Sequence, residues 1–346
     1  MRALPEPYLR LHEALARDLP GERLVTDPLR RLALGTDASF YRLTPRLVVE
    51  VRTVDEVRRV LAEAARLGTP VTFRAAGTSL SGQAVTDSVL VRVTGGWRGL
   101  RVLDGGARIA LEPGVIGADA NAVLAPLGRK LGPDPASIGA CMVGGIAANN
   151  ASGMCCGTAQ NSYRTVASMR LVLADGTELD TADPASRAAF RAARPEILAG
   201  LRALRAEIED DPALRRRIVE KFRIKNTTGY ALNAFVDFED PLDVLLHLMI
   251  GSEGTLGFIA EVTYHTVPEH AHKASALALF AGVGDAARAT MLLQGGPVAA
   301  AELMDRASLR SVEAKPGMPP ELAGLPEGAA ALLIETRAAT AAELGP

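Results

Sequence analysis

Apolar residues recur at helical spacing in Tyr8-Leu-Arg-Leu-His-Glu-Ala-Leu-Ala-Arg17, which predicts a helical lead over residues 1–30. Leu47-Val-Val-Glu-Val51 is a short apolar run of strand type. Thr53 and Glu56 then stand at capping-box spacing, opening a helix that runs through Leu67 and stops at Gly68. Val71-Thr-Phe-Arg74 is the next strand, so strand, helix and strand predict a βαβ unit. Ser88–Val93, Leu100–Leu103 and Arg108–Leu111 read as further strands, the last two joined through Asp104-Gly-Gly106 as a hairpin. Gly117–Leu127 predicts a short helix, and Lys130–Ser137, with two prolines and an aspartate, a loop. A helix begins at Ile146 with its N-terminus toward nearby glycines. Val166–Leu173 and Glu178–Asp180 flank the Asp175-Gly176 turn as a second hairpin.

Residues 183–220 are rich in Arg and Ala with helical period and predict two surface helices, broken near Pro195 and Pro212, with a solvated charged face. Leu242–Ile250 reads as a buried helix and Gly257–Val267 as a strand. Pro268, with His270 and His272, marks a boundary. Beyond Lys273 come a strand over Ala274–Phe280, an Ala-rich helix, Glu302–Arg306 and a strand at Ala331–Thr336. One or two strands and two helices make a thin sheet layer.

Two segments fall outside this alternation. Arg74-Ala-Ala-Gly-Thr-Ser-Leu-Ser-Gly-Gln-Ala84 and Gly144-Gly-Ile-Ala-Ala-Asn-Asn-Ala-Ser-Gly153 are runs of small residues, hydroxyls and amides with little apolar bulk. Their glycines permit positive φ and close approach of backbone to a ligand. Successive N–H groups in such a loop converge on an anion, helped by the hydroxyls of Thr78, Ser79 and Ser81 and the charge of Arg74. One such loop reads equally well as a tight turn; two, each entered from an apolar run, point to one large phosphate-bearing ligand.

The first loop resembles the pyrophosphate loop of the vanillyl-alcohol-oxidase-type (PCMH-type) FAD proteins, the FAD-linked oxidases of the glycolate oxidase and D-lactate dehydrogenase group. The similarity continues in family order through Pro133-Asp-Pro-Ala-Ser-Ile-Gly139, Asn149-Asn-Ala-Ser-Gly-Met-Cys-Cys-Gly-Thr158, Lys225-Asn-Thr-Thr-Gly-Tyr230 and Gly251-Ser-Glu-Gly-Thr-Leu-Gly-Phe-Ile259. The second segment, with Asn161-Ser-Tyr-Arg164, looks most like the large flavin and iron–sulfur D-2-hydroxyacid dehydrogenases. The resemblance implies an α+β fold: a two-subdomain FAD-binding domain over residues 31–270, then the start of an α+β substrate-cap domain over 271–346. It implies FAD, with the diphosphate on Ala76, Gly77, Thr78, Ser79, Leu80, Ser81 and Gly82. Pro133, Ser137, Gly139, Gly144, Gly145, Asn149, Asn150 and Gly153 would line the rest of the cofactor, and Ile259 would give a backbone contact. The activity it implies is oxidation of a D-2-hydroxy acid, of the D-lactate or D-2-hydroxyglutarate class, by hydride transfer to flavin N5. Electrons would leave to a quinone, cytochrome or iron–sulfur protein. The family's histidine- and glycine-rich cap motif, which carries the catalytic histidine, does not occur here, so the base is expected beyond Pro346 and the chain reads as C-terminally truncated. An iron–sulfur cluster would belong to that same missing region.

Two other readings stay open: a flavin-holding chain without catalysis, and a non-redox enzyme of the same fold similar to alkyl-dihydroxyacetonephosphate synthase. Glu253 is either a turn carboxylate accepting backbone N–H bonds or a hydrogen-bond partner of adenosine or ribose; nothing near it in sequence raises its pKa, which disfavours a base. Lys225, Tyr230 and Tyr41 either pack locally or stand beside flavin or substrate. Arg306 reads as structural.

The remaining features narrow the field. Net charge is −2, which gives no basic surface for nucleic acid or anionic membrane. The 3 cysteines, Cys141, Cys155 and Cys156, have no CxxC spacing and fit a reducing compartment, cytoplasmic or peripheral on the inner membrane. Adjacent thiols do not share one tetrahedral ion, and His265, His270 and His272 lack a carboxylate pattern, so no metal site is expected. There is no histidine in the first loop for covalent flavin attachment, no G-x-G-x-x-G, no G-x-S-x-G, and Gln83 stands where a P-loop has lysine.

Overall fold

Thr53 and Gly68 bracket the helix around which the first sheet forms. The structure is a computed structural model and describes residues 4–344; residues 1–3 and 345–346, the ends of the expected lead and cap, lie outside the described residues. The chain opens with α1 (Tyr8–Leu15), β1 (Leu24–Val25) and α2 (Pro28–Ala33), continuing through β2 (Leu47–Glu50), α3 (Val54–Leu67), β3 (Val71–Arg74) and β4 (Val89–Arg92). The sheet order is β1-β2-β4-β3, with β2 and β3 both parallel to β4. The expected βαβ unit is therefore split, its two strands separated by a third. Thr53 Oγ1 accepts from Glu56 N at 3.2 Å, and Gly68 ends α3 at φ 63°. The Glu56 carboxylate is held mainly by other partners than Thr53. It accepts from Arg52 N at 2.6 Å and takes two 2.8 Å bonds from Arg23. Leu11, Leu15, Leu19 and Leu24 share one core with Val57 and Val60, so the lead packs into the first sheet, and Leu24–Val25 adds a strand to it.

The second sheet is built from β5 (Leu100–Leu103), β6 (Arg108–Leu111), β7 (Arg129–Leu131), β8 (Val166–Leu173), β9 (Glu178–Asp180) and β10 (Gly257–Pro268), in the order β5-β6-β10-β8-β9 with β7 also on β10. β10 lies antiparallel between β6 and β8, and its Tyr264 is wholly buried with its hydroxyl 2.9 Å from that of Ser162. Lys130 and Leu131 belong to β7, so the expected loop starts two residues later than its sequence implies. Helices α4 (Gly117–Leu124), α5 (Val143–Asn149) and α6 (Ser162–Thr165) fill the connections. α5 begins at Val143, not Ile146, which puts Gly144 and Gly145 inside its first turn.

Residues 184–221 form three helices, α7 (Pro184–Ala193), α8 (Pro195–Asp210) and α9 (Pro212–Lys221), rather than two, because both prolines start a helix at its first position. Their outer faces are charged, but Phe190, Leu198, Ile208 and Ile218 enter the core with α10 (Ala234–Asp237) and α11 (Pro241–Leu248).

The chain divides into two compact units, one up to Val267 and one from Pro268. The second unit has β11 (His272–Phe280), α12 (Val283–Leu293), β12 (Ala300–Asp305), α13 (Arg306–Arg310) and β13 (Ala330–Ala338). Its sheet has 3 antiparallel strands, β11-β13-β12, one more than the sequence pattern suggests. Ala286 of α12 packs on Ala330 and Leu332, while Leu309 of α13 packs with Ala331 from β13's other face. Arg306 is buried, bonded to Glu313 at 2.7 Å and to Leu325 O at 3.2 Å. The α+β class holds.

Candidate functional site

β3 ends at Arg74, and the loop that follows is drawn closed by that residue. The guanidinium is turned onto the chain: Nε donates to Ala84 O at 2.8 Å, and Nη1 to Leu34 O at 2.9 Å and Thr36 O at 3.1 Å. Arg74 lines the cleft, and its guanidinium hydrogen bonds brace the loop's two ends against residues 34–36. Ala76, Gly77, Thr78, Ser79, Leu80 and Ser81 line a cleft of about 530 Å³ in the first unit. Gly77 holds φ 74° and Gly82 φ 80°, conformations that favour glycine. Gly82 does not line the cleft. A Cβ there would lie 2.7 Å from Tyr41 Cδ2, so this glycine makes room for the Tyr41 ring, which packs at a tilt against Phe40 outside the cleft.

The facing wall is α5. Gly144 approaches Pro113, where a Cβ would sit 2.6 Å from Pro113 Cβ, whereas a Cβ at Gly145 would meet only Ala75 Cβ, at 3.9 Å across the gap between loop and helix. Asn149 and Ser137 also line the cleft. Asn150, at φ 54°, ends α5 and turns away: it donates to Asn226 O, accepts from Tyr163 N and borders a smaller cavity of about 240 Å³. Pro133 is buried, Gly139 is exposed, and neither reaches the cleft. Gly153 is also outside it; a Cβ there would fall 1.9 Å from Asp134 O, so close packing on Asp134 accounts for this glycine.

The third wall is the turn after α11 with the start of β10. Glu253 lines the cleft, and its Oε1 accepts from Asn149 Nδ2 at 2.6 Å and Gln83 Nε2 at 3.3 Å. Burial pushes its carboxyl above the usual range, contrary to the expectation from its small neighbours in sequence. Ile259 lines the cleft beside Phe258, whose ring lies 5.0 Å from that of Phe73. Lys225 and Tyr230 do not: Lys225 Nζ donates to Ser152 O at 2.6 Å, and the Tyr230 and Thr255 hydroxyls are 2.8 Å apart. The residues between them, Thr227, Thr228 and Gly229, do.

Sequence reasoning missed Phe73, Gln83, Cys141, Met142, Thr227, Thr228 and Phe258 as cleft residues. Phe73 was findable as the side chain just before the loop's first residue; Cys141 and Met142 follow directly from the Ser137 segment. Burial raises the Cys141 and Cys156 thiols, and Cys156 packs as a small buried hydrophobe.

Arg74 and Glu253 are the only charged residues among those lining the cleft, and Arg74 is committed to carbonyls. A ligand is met by backbone N–H groups and hydroxyls on one side and by aromatic and aliphatic surface on another. This donor set suits a molecule with an anionic linker and flat ends. Residues 45–182 match the FAD binding domain, and residues 269–345 match the C-terminal domain of FAD linked oxidases. The chain belongs to the FAD-linked oxidase family.

Among its relatives within and around this FAD-linked oxidase family is the D-2-hydroxyglutarate dehydrogenase of Pantoea ananatis, 30% identical over 69% of this chain and 24% of that protein. The glycolate oxidase subunit GlcD of Escherichia coli is 27% identical over 87% of this chain and 51% of its own. The chain thus spans about a quarter to a half of these relatives' length. An alkyldihydroxyacetonephosphate synthase structure superposes with a TM-score of 0.65 at 15% identity, covering 97% of this chain and 58% of that one. A Phl p 4 variant described as a glucose oxidase gives 0.60 at 11%, covering 95% and 55%. These two show the fold. Among the described residues no helix is long and apolar enough to cross a membrane, and no group of 3 or more His, Cys, Asp or Glu could hold a metal ion.

Proposed function

We propose that the first unit's cleft holds FAD without a covalent bond, and that the chain serves the oxidation of a D-2-hydroxy acid of the D-lactate or D-2-hydroxyglutarate class to its 2-oxo acid. The observation that carries this reading is the pairing of two walls across one cleft: the loop after β3, rich in hydroxyls and N–H groups, and the glycine turn that opens α5. In this reading the FAD-binding domain spans residues 31–270 and the substrate cap begins at 271. Ala76 to Ser81 bind the diphosphate through backbone and hydroxyls. Ser137, Gly144, Gly145 and Asn149 face the ribityl chain and ring edge, with Phe73, Phe258 and Ile259 closing the apolar side. FAD held there would supply hydride acceptance at N5 and onward electron transfer.

The substrate class is carried over from the names of the relatives. The electron acceptor in this reading is a quinone, a cytochrome or an iron–sulfur protein, and the setting a reducing compartment, cytoplasmic or peripheral on the inner membrane. No described residue is assigned as the base, and none as an iron–sulfur ligand. The alkyldihydroxyacetonephosphate synthase likeness rests on fold, and no feature of the cleft favours it.

The visible absorption spectrum before and after anaerobic addition of D-lactate or D-2-hydroxyglutarate tests the reading. Flavin bands that bleach are the expected result. Bands that persist would assign the chain a flavin-holding role without catalysis, and a colourless protein that takes up no FAD would sink the cofactor reading.

A further inference from the structure

Glu253 is a non-glycine residue at φ 53°, set between Gly251 at φ 83° and Gly254 at φ 77°. A glutamate stays in the left-handed region where surrounding contacts fix it there. Here Gly251 N donates to Ala147 O at 3.3 Å and Glu253 N to Ala148 O at 2.9 Å, docking the turn onto the end of α5. The side chain then joins two more segments. One oxygen, Oε1, accepts from Asn149, 104 residues away in sequence, and from Gln83, 170 residues away. Gln83 sits in the loop after β3, where its own Oε1 takes the hydroxyl of Ser79. The turn, the helix and the loop all line the same cleft.

We infer that Glu253 is a positioning residue: its carboxylate, acting through Gln83 and Asn149, holds the loop after β3 against α5 at the spacing that grips the cofactor's diphosphate, and protonation loosens that grip. The inference rests on the FAD reading above. A charged acceptor makes shorter and stronger hydrogen bonds than a neutral acid, so the amides of Gln83 and Asn149 are held best by the ionised form. The groups facing the carboxyl are those two neutral amides. Of the charged groups on neighbouring elements, Arg74 is turned onto Leu34, Thr36 and Ala84 and Lys225 onto Ser152. Burial raises the carboxyl, so the loosening falls at higher pH than for a surface glutamate.

The sign separates this role from a merely structural one. A carboxyl raised in the folded state binds its proton more tightly than in the unfolded chain, so apoprotein stability falls as pH rises between the ordinary and the raised value. Flavin retention runs the other way and rises through the same window. A carboxyl that only fills space would show the first slope and not the second.

The test is the FAD dissociation constant, from quenching of flavin fluorescence, between about pH 5 and pH 8, with apoprotein melting curves at each pH. Wild type should lose roughly tenfold in affinity from the upper to the lower end, the effect of about one unit of coupled shift. Glu253→Gln should be flat, about as weak at pH 8 as wild type at pH 5, while its apoprotein melts no lower than wild type at pH 8. Gln83→Met, which leaves Glu253 in place, should lose part of the pH slope and decides the matter if Glu253→Gln does not fold. Wild-type affinity and slope in either folded variant would overturn the inference. A wild-type protein that takes up no FAD at any pH would overturn the cofactor reading, and this inference with it.

Discussion

Gly145→Val is expected to abolish flavin retention while leaving the melting temperature within about 2 °C of wild type. The two halves of that result come from one geometric fact. A Cβ built at Gly145 meets no atom closer than Ala75 Cβ at 3.9 Å, so the added side chain costs the fold little. It projects instead into the gap between α5 and the loop after β3, where a ligand backbone would pass. A branched, rotationally stiff side chain there blocks close approach. The expected loss is roughly 100-fold or more in affinity, about 2.7 kcal/mol, read as the flavin-to-protein absorbance ratio after gel filtration. Neighbouring glycines make poorer tests. Gly144→Val collides with Pro113 at 2.6 Å, and Gly77 sits at φ 74° with its Cβ direction 3.3 Å from Arg74 Cδ, so both variants disturb the fold as well as the cleft. Full flavin content in Gly145→Val would show that the wall of α5 is not a cofactor wall.

Local signals account for what the sequence revealed. Thr53, Gly68 and the apolar runs on either side define α3 and its strands because caps and periodicity act within a few residues. The glycine- and hydroxyl-rich loop was legible for the same reason: its composition excludes a core strand or helix. The failures concern direction and distance. Arg74 has one sequence context whether it points at a ligand or back at the chain, and the carbonyls that capture it come from residues 34, 36 and 84. Glu253 lies among glycine, serine and threonine, yet its side-chain hydrogen-bond partners, Gln83 and Asn149, lie 170 and 104 residues away. Asn150 and Gly153 share the motif that supplies Asn149. Only the left-handed turn ending α5 reveals that Asn150 points away from the cleft.

The reassignment of Arg74 has its own consequence. Arg74→Met, which keeps the length and apolar stem of the side chain, is expected to destabilise the apoprotein by about 3 kcal/mol, because it removes the partner of the Leu34, Thr36 and Ala84 carbonyls. Arg74 is 6% exposed, so water does not replace the lost bonds freely. For a protein of this size that corresponds to a fall of roughly 4–5 °C in melting temperature. A guanidinium whose task was to neutralise phosphate would behave otherwise: its removal would leave the apoprotein's melting point unchanged or raised, and the loss would appear only as weaker, less salt-sensitive FAD binding. Melting curves of wild type and variant, each with and without added FAD, separate the two. A large drop in the apoprotein identifies the brace. In that case any loss of flavin follows from a loop that no longer holds its shape, and it should be partly recovered in Arg74→Lys, whose ammonium reaches one or two of the same carbonyls but not all.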